Sequence, residues 1–178
     1  MEKTETVDVN TLEASAFWLI ADQLTARTEH QRLRYIQAGF PPGWVKATRA
    51  AFKLSSRRLE QLLNVSMSTL ERRQRHSQPL DLVTSERLDR VAHIATQAAA
   101  RFGDHAMASR WMVSRHPALG GQTPIRLCET EIGARQVRRL LRGLAQISAE
   151  CPPPPCPEPN PPAIAQRPRS PHPDRSPG

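Results

Sequence analysis

The chain has little cysteine, no long apolar run and no catalytic signature, and each shortage removes a class of protein. Three cysteines, Cys128, Cys151 and Cys156, in 178 residues cannot staple a chain of this length into a disulfide framework, so a reducing, cytoplasmic setting is expected. No apolar stretch approaches the roughly 20 residues that a membrane-spanning helix needs. The opening MEKTETVDVN has neither the cationic start nor the apolar centre of a secretion signal. There is no Gly-rich phosphate loop, paired-histidine motif or nucleophile elbow, and His76, His93, His105 and His116 stand singly. No enzyme, catalytic residue, cofactor or small-molecule substrate is therefore expected. Cys151 and Cys156 bracket four prolines and, even with Cys128 and His116, lack the spacing of a zinc hairpin, so no metal site is expected. No segment reads as a strand.

What the chain does have is positive charge, and it is concentrated. The formal net charge is +8 and the sequence pI is about 10.6. Residues 43–75 carry 8 Lys and Arg against 2 Asp and Glu, while residues 1–42 carry 4 against 6 and residues 76–150 carry 10 against 7. An excess packed into one short stretch is the footprint of a nucleic-acid partner rather than of an evenly solvated surface.

The periodicities are helical throughout. Beyond a polar start of about ten residues, Phe17, Ile20, Ala21 and Leu24 form one face of a helix expected from Leu12 to about Gln37, ended by Gly39, Pro41, Pro42 and Gly43. Ser55 or Ser56 can cap a helix with Leu59, Leu62 and Leu63 inside, and Asn64 is placed to end it in the left-handed conformation. Ser66 can cap the next helix, with Val65 and Leu70 as a hydrophobic staple around its start. From about Ser85, the stripe Leu88, Val91, Ala92, Ala95, Ala98, Ala99 and Phe102 runs to a C-cap at Gly103. Asp104 can then cap a short helix carrying Ala108, Trp111 and Met112, with Trp111 expected in the core. Pro117, Gly120 and Gly121 shape a loop, and Thr123–Pro124 has the form of an N-cap and first helical residue. A last helix puts Val137, Leu140, Leu141 and Leu144 on one face. Past Cys151 the composition changes: 12 of the 17 prolines lie in the final 28 residues. Such a segment cannot offset its ordering entropy by burial and is expected to be a disordered tail. The expected architecture is all-α: an N-terminal helical segment (1–38), a helix-turn-helix region (39–80), a small helical module (81–150) and the tail (151–178).

The string LSSRRLEQLLNVSMSTLERRQR, residues 54–75, carries the clearest functional signal. Its apolar positions fix two helices at a sharp angle, the arrangement that lays the second helix in the major groove of double-stranded DNA. Ser66, Ser68, Thr69, Arg72 and Arg73 fall near the start of that second helix and off its buried face. Short hydroxyls there suit close approach, and an arginine can pair two-pronged with guanine. Arg57 and Arg58, at the start of the first helix, are placed to meet phosphates.

Downstream, SERLDRVAHI (85–94), ARFGD (100–104), ASRWM (108–112), HPALGGQTP (116–124) and ETEIGARQVRRLLRGLAQI (129–147) follow in fixed order. With GFPPGWVKATRAAF (39–52) and NVSMSTLERRQR (64–75) upstream, the chain resembles the Xre/MbcA/ParS family of antitoxins over roughly residues 35–148. The resemblance implies an Xre-like helix-turn-helix, a homodimer and a neighbouring RES-domain toxin that attacks NAD. It also implies repression of the shared operator, and closure of the toxin's NAD cleft by the C-terminal end of the second module. On that basis Arg135, Arg138, Arg139, Arg142 and Gln146, on the last helix, are the candidate toxin contacts. The chain departs from the family pattern in its proline-rich tail, and in reading LAQIS (144–148) where a glycine-containing turn is the rule. Two other readings remain open: a stand-alone transcription regulator, and an inhibitor whose helix-turn-helix serves only as a scaffold.

Overall fold

The computed structural model describes residues 9–149, with side chains through Leu144. Among them are nine α-helices: α1 (Val9–Thr25), α2 (Glu29–Ala38), α3 (Gly43–Phe52), α4 (Ser56–Leu63), α5 (Met67–Arg75), α6 (Leu82–Phe102), α7 (His105–Val113), α8 (Pro124–Leu127) and α9 (Glu131–Ala149). The described residues contain no strand, only an isolated bridge between His116 and Gln122. The expected tail at 151–178, with Cys151 and Cys156, lies outside the described residues.

The single helix expected from Leu12 to Gln37 is in fact two. A capping box interrupts it: Gln31 N donates to Thr28 Oγ1 (3.3 Å) while Thr28 N donates to Gln31 Oε1 (3.1 Å). Reciprocal satisfaction of two orphan donors makes a new helix start at Glu29, although the residues on either side keep helical spacing. A further helix, α3, lies hidden behind the Pro41–Pro42–Gly43 break. Its buried face consists of Trp44, Val45, Ala47, Thr48, Ala51 and Phe52.

The core begins where α1 crosses α3. The buried Phe17 ring meets Trp18, Trp44 and Phe52 edge-on, with centroids 5.3, 6.2 and 5.0 Å apart, the geometry that aromatic quadrupoles favour. Gly39, at φ +84°, turns the chain against the approach to α6; a Cβ there would lie 2.3 Å from Leu80 O. Phe40 then pins the corner, accepting from Leu80 N (2.9 Å) and donating its own N–H to Ser85 Oγ (2.9 Å).

The central element is α6. It starts at Leu82 rather than near Ser85, because Asp81 accepts from Thr84 N (2.9 Å) as its N-cap, and Gly103 ends it at φ +70°. Leu88, Val91, Ala92, Ile94, Ala95 and Ala98 are fully buried. That arc is wider than the stripe read from sequence, because α6 packs against α1, α2 and α4 and also against α7 and α9. One hydrophobic cluster runs from Phe17 through α6 to Val137 and Leu141 of α9. Asp104 caps α7 by accepting from Ala106 N and Met107 N (3.0 and 3.1 Å). Trp111 is half-buried between Phe102 and His116. Thr123 precedes Pro124 as expected, but its hydroxyl makes no cap hydrogen bond and is buried without a partner.

Candidate functional site

The helix-turn-helix is built as its sequence indicates. Ser55 Oγ accepts from Arg58 N (3.3 Å) to start α4, and Asn64 ends it at φ +57°. Ser66 Oγ accepts from Thr69 N (3.3 Å) to start α5. Three residues, Asn64 to Ser66, separate the helices. Two ties hold them: Glu60 Oε1 accepts from Met67 N at 2.7 Å, and Arg87 of α6 donates to Leu62 O at 2.9 Å, satisfying an end carbonyl of α4. The start of α5 carries a hydroxyl cluster in which Ser66 Oγ lies 3.0 Å from Ser68 Oγ and 2.9 Å from Thr69 Oγ1.

The cations of this region differ in what they touch. Arg57 and Arg72 are exposed, and their side chains have no partner among the described residues. Arg58 is also exposed but borders a crevice with Leu62, Ile125 and Glu129, on the side facing α8. Arg73 is half-buried and donates through Nη1 to Pro79 O at 2.5 Å. Its charge also acts on Asp81. Burial works to raise the Asp81 carboxyl, but hydrogen bonds from Thr84 N and Oγ1 and the nearby Arg73 bring it below the ordinary carboxylate range. Arg73 thus fastens the end of α5 to the start of α6, and Arg72 beside it is unengaged.

Sequence reasoning passed over two further cations. Lys46 and Arg49 lie on the exposed side of α3, three residues apart, and border a groove of about 500 Å³ together with Arg75, Glu71 and Gln74 of α5. The groove's floor is Val45, Leu59, Met67 and Leu70. Recognising α3 in the sequence would have exposed them, since they interleave with its buried Trp44, Ala47 and Thr48.

The last helix presents a different picture. Arg138 is paired with Glu131, whose Oε1 also lies 3.9 Å from Arg135 Nε, and Arg142 Nε donates to Arg138 O at 3.3 Å. Of the four arginines proposed as toxin contacts, only Arg139 has no partner among the described residues. It borders a groove of about 700 Å³ between α9 and the 118–120 turn, with Gln136, Leu140, Gly143 and Gly120. A Cβ on Gly143 would meet nothing, so this mid-helix glycine leaves the helix backbone open to close approach from outside. The side chain of Gln146 lies outside the described residues.

Below these surfaces an ionic network joins α6 to the end of α8 and the start of α9. Arg90, nearly buried, donates to Cys128 O (2.8 Å) and Glu86 Oε1 (3.0 Å) and lies 3.5 Å from Glu131 Oε2. Burial pushes the Cys128 thiol up to about 12, and its Sγ donates to Pro124 O, so it is an inert packing residue. No group of three or more His, Cys, Asp or Glu that could hold a metal occurs among the described residues, and no helix among them is long and apolar enough to cross a membrane.

Comparison with known proteins assigns both halves. Residues 31–93 match the family model described as the antitoxin Xre-like helix-turn-helix domain, and residues 97–146 match the antitoxin Xre/MbcA/ParS C-terminal toxin-binding domain. The chain is similar to "Antitoxin Xre" of Pseudomonas putida strain KT2440, 35% identical over 82 residues, which cover 46% of this chain and 52% of that protein. The match thus spans about half the length of that relative. With the two domains following one another across α2 to α9, the chain belongs to the Xre/MbcA/ParS family of antitoxins.

Proposed function

We propose that this chain is the antitoxin of a type II toxin-antitoxin pair, which neutralises a RES-domain, NAD-degrading toxin in the cytoplasm and represses its own operon. The observation that carries the reading is the presence of both family domains, in order, on one helical scaffold. Two copies would pair and present their α5 helices to an inverted repeat about one DNA turn, roughly 34 Å, apart. Within each α5, Ser68, Thr69 and Arg72 face the bases, with Arg57 on phosphate. The toxin is held by contact and not by chemistry, its NAD cleft closed by the C-terminal end of the second module. Arg139 is the best-placed α9 arginine for an acidic toxin surface, because its neighbours Arg135, Arg138 and Arg142 already have partners within the helix.

Co-expression with the product of the adjacent reading frame tests the proposal. The expected result is a complex that co-purifies, with growth and cellular NAD restored. A partner frame whose toxicity this chain neither binds nor relieves would overturn the antitoxin reading.

A further inference from the structure

We propose that α3 supplies a second phosphate-binding flank for double-stranded DNA, with Lys46 and Arg49 on one side of the α3–α5 groove and Arg75 on the other. This rests on the DNA-binding reading above and extends it to a helix outside the α4–α5 pair.

The argument begins with what α3 must bury. Trp44, Val45, Ala47, Thr48, Ala51 and Phe52 all turn inward, which leaves Lys46 and Arg49 neighbours on the outer side, at the three-residue spacing that stacks side chains along a helix. Both border the groove that Arg75 borders from α5. Three cations around one groove repel one another, and little around them offsets that repulsion. No ion pair involves residues 43–75 among the described residues. Of the two acids in that stretch, Glu60 is committed to Met67 N, which leaves Glu71 as the carboxylate at the rim. A cationic rim with so little counter-charge suits a polyanion, whose binding releases condensed counterions. Among polyanions, duplex DNA is favoured because the groove's other wall is α5 itself, the helix that carries Ser68, Thr69 and Arg72. A duplex seated on α5 brings its phosphates alongside.

Phosphate contacts position a protein without reading sequence, and this separates the roles of the two helices experimentally. Anisotropy titrations of the full chain would use a duplex from the region upstream of its own reading frame and an unrelated duplex of equal length, each over a range of salt concentrations. For K46Q/R49Q the slope of log affinity against log salt is expected to fall by roughly 1.8, about 0.9 per lost contact, with the preference between duplexes unchanged. Arg75→Gln is expected to remove about 0.9 more. The charge-preserving K46R/R49K is expected to keep the wild-type slope. If the wild type binds DNA and K46Q/R49Q keeps its slope, or if K46R/R49K loses it, the α3 flank is wrong while the helix-turn-helix reading stands. If the wild type binds neither duplex, the DNA-binding reading itself falls.

Discussion

The outer face of α3–α5 and the belt around α6 hold the same kind of residue in opposite states. On α3–α5, Lys46, Arg49, Arg57, Arg72 and Arg75 carry charge that no ion pair among the described residues answers. Around α6, Arg32 grips Asp89 with two hydrogen bonds (3.1 and 2.7 Å) and Arg87 holds the end of α4. Arg90 joins Glu86, Cys128 and Glu131, and Arg101 reaches Leu144 O at 2.6 Å. An arginine count alone would treat the two regions as one basic surface. Their partners separate cations left without a counter-charge on the surface from cations used to assemble the fold.

The sharpest way to break this contrast is to remove a cation from the α6 belt. Arg32→Ala would leave Asp89, 8% exposed, without its partner. The expected cost is about 3 kcal/mol in urea unfolding, the lower end of the range for stranding a buried charge, because Arg32 itself is partly exposed. A cost within about 0.5 kcal/mol, the level of an ordinary surface substitution, would erase the distinction between the regions.

A smaller effect is expected where the two regions meet. Arg73→Ala should lose about 1 kcal/mol with its bond to Pro79 O, whereas Arg72→Ala should leave the melting curve in place and relax the preference between DNA duplexes. Equal stability of the two variants would mean that the Arg73 tie contributes nothing.

The smallest effect is a pH dependence inside the belt. Burial holds the His93 imidazole below its ordinary pKa of 6.5, with Arg32 adding to the depression and Asp89 opposing it; Arg138 and Glu131 act more weakly in the same two senses. Its Nδ1 is buried without a partner. A depressed folded-state pKa means that the unfolded chain takes up the proton first. This contribution to stability is therefore complete above about 6.5 and is lost as pH falls below that value toward the folded-state pKa. Thermal melts across this window should decline for the wild type and flatten for His93→Gln; an unchanged slope in the variant would assign the dependence elsewhere.

Local signals were the legible part of the fold. Ser55, Asn64, Ser66, Gly103 and Asp104 cap helices as their sequence context indicates, because a cap is decided within four residues. The α1–α2 break lies at Thr28 and Gln31, in the polar stretch between Leu24 and Leu33, and was read through because helical spacing resumes at Leu33 and Ile36; α3 was hidden because it follows a proline-rich break. Least legible was the division of labour among the arginines. Arg32 finds Asp89 57 residues away and Arg90 finds Cys128 38 residues away. Nothing in the string RRLLR distinguishes Arg138, paired with Glu131, from the unengaged Arg139.

The two family matches end at residue 93 and resume at residue 97, both inside α6. The junction between the helix-turn-helix domain and the C-terminal domain is therefore a stretch of continuous helix, not a tether. Along a helix every added residue advances the chain by about 1.5 Å and rotates the rest of it by roughly 100°. Exchange of the C-terminal half between relatives must therefore conserve phase as well as sequence: a graft one residue out of step would carry an intact second module turned away from the packing that α1, α2 and α4 share with α6.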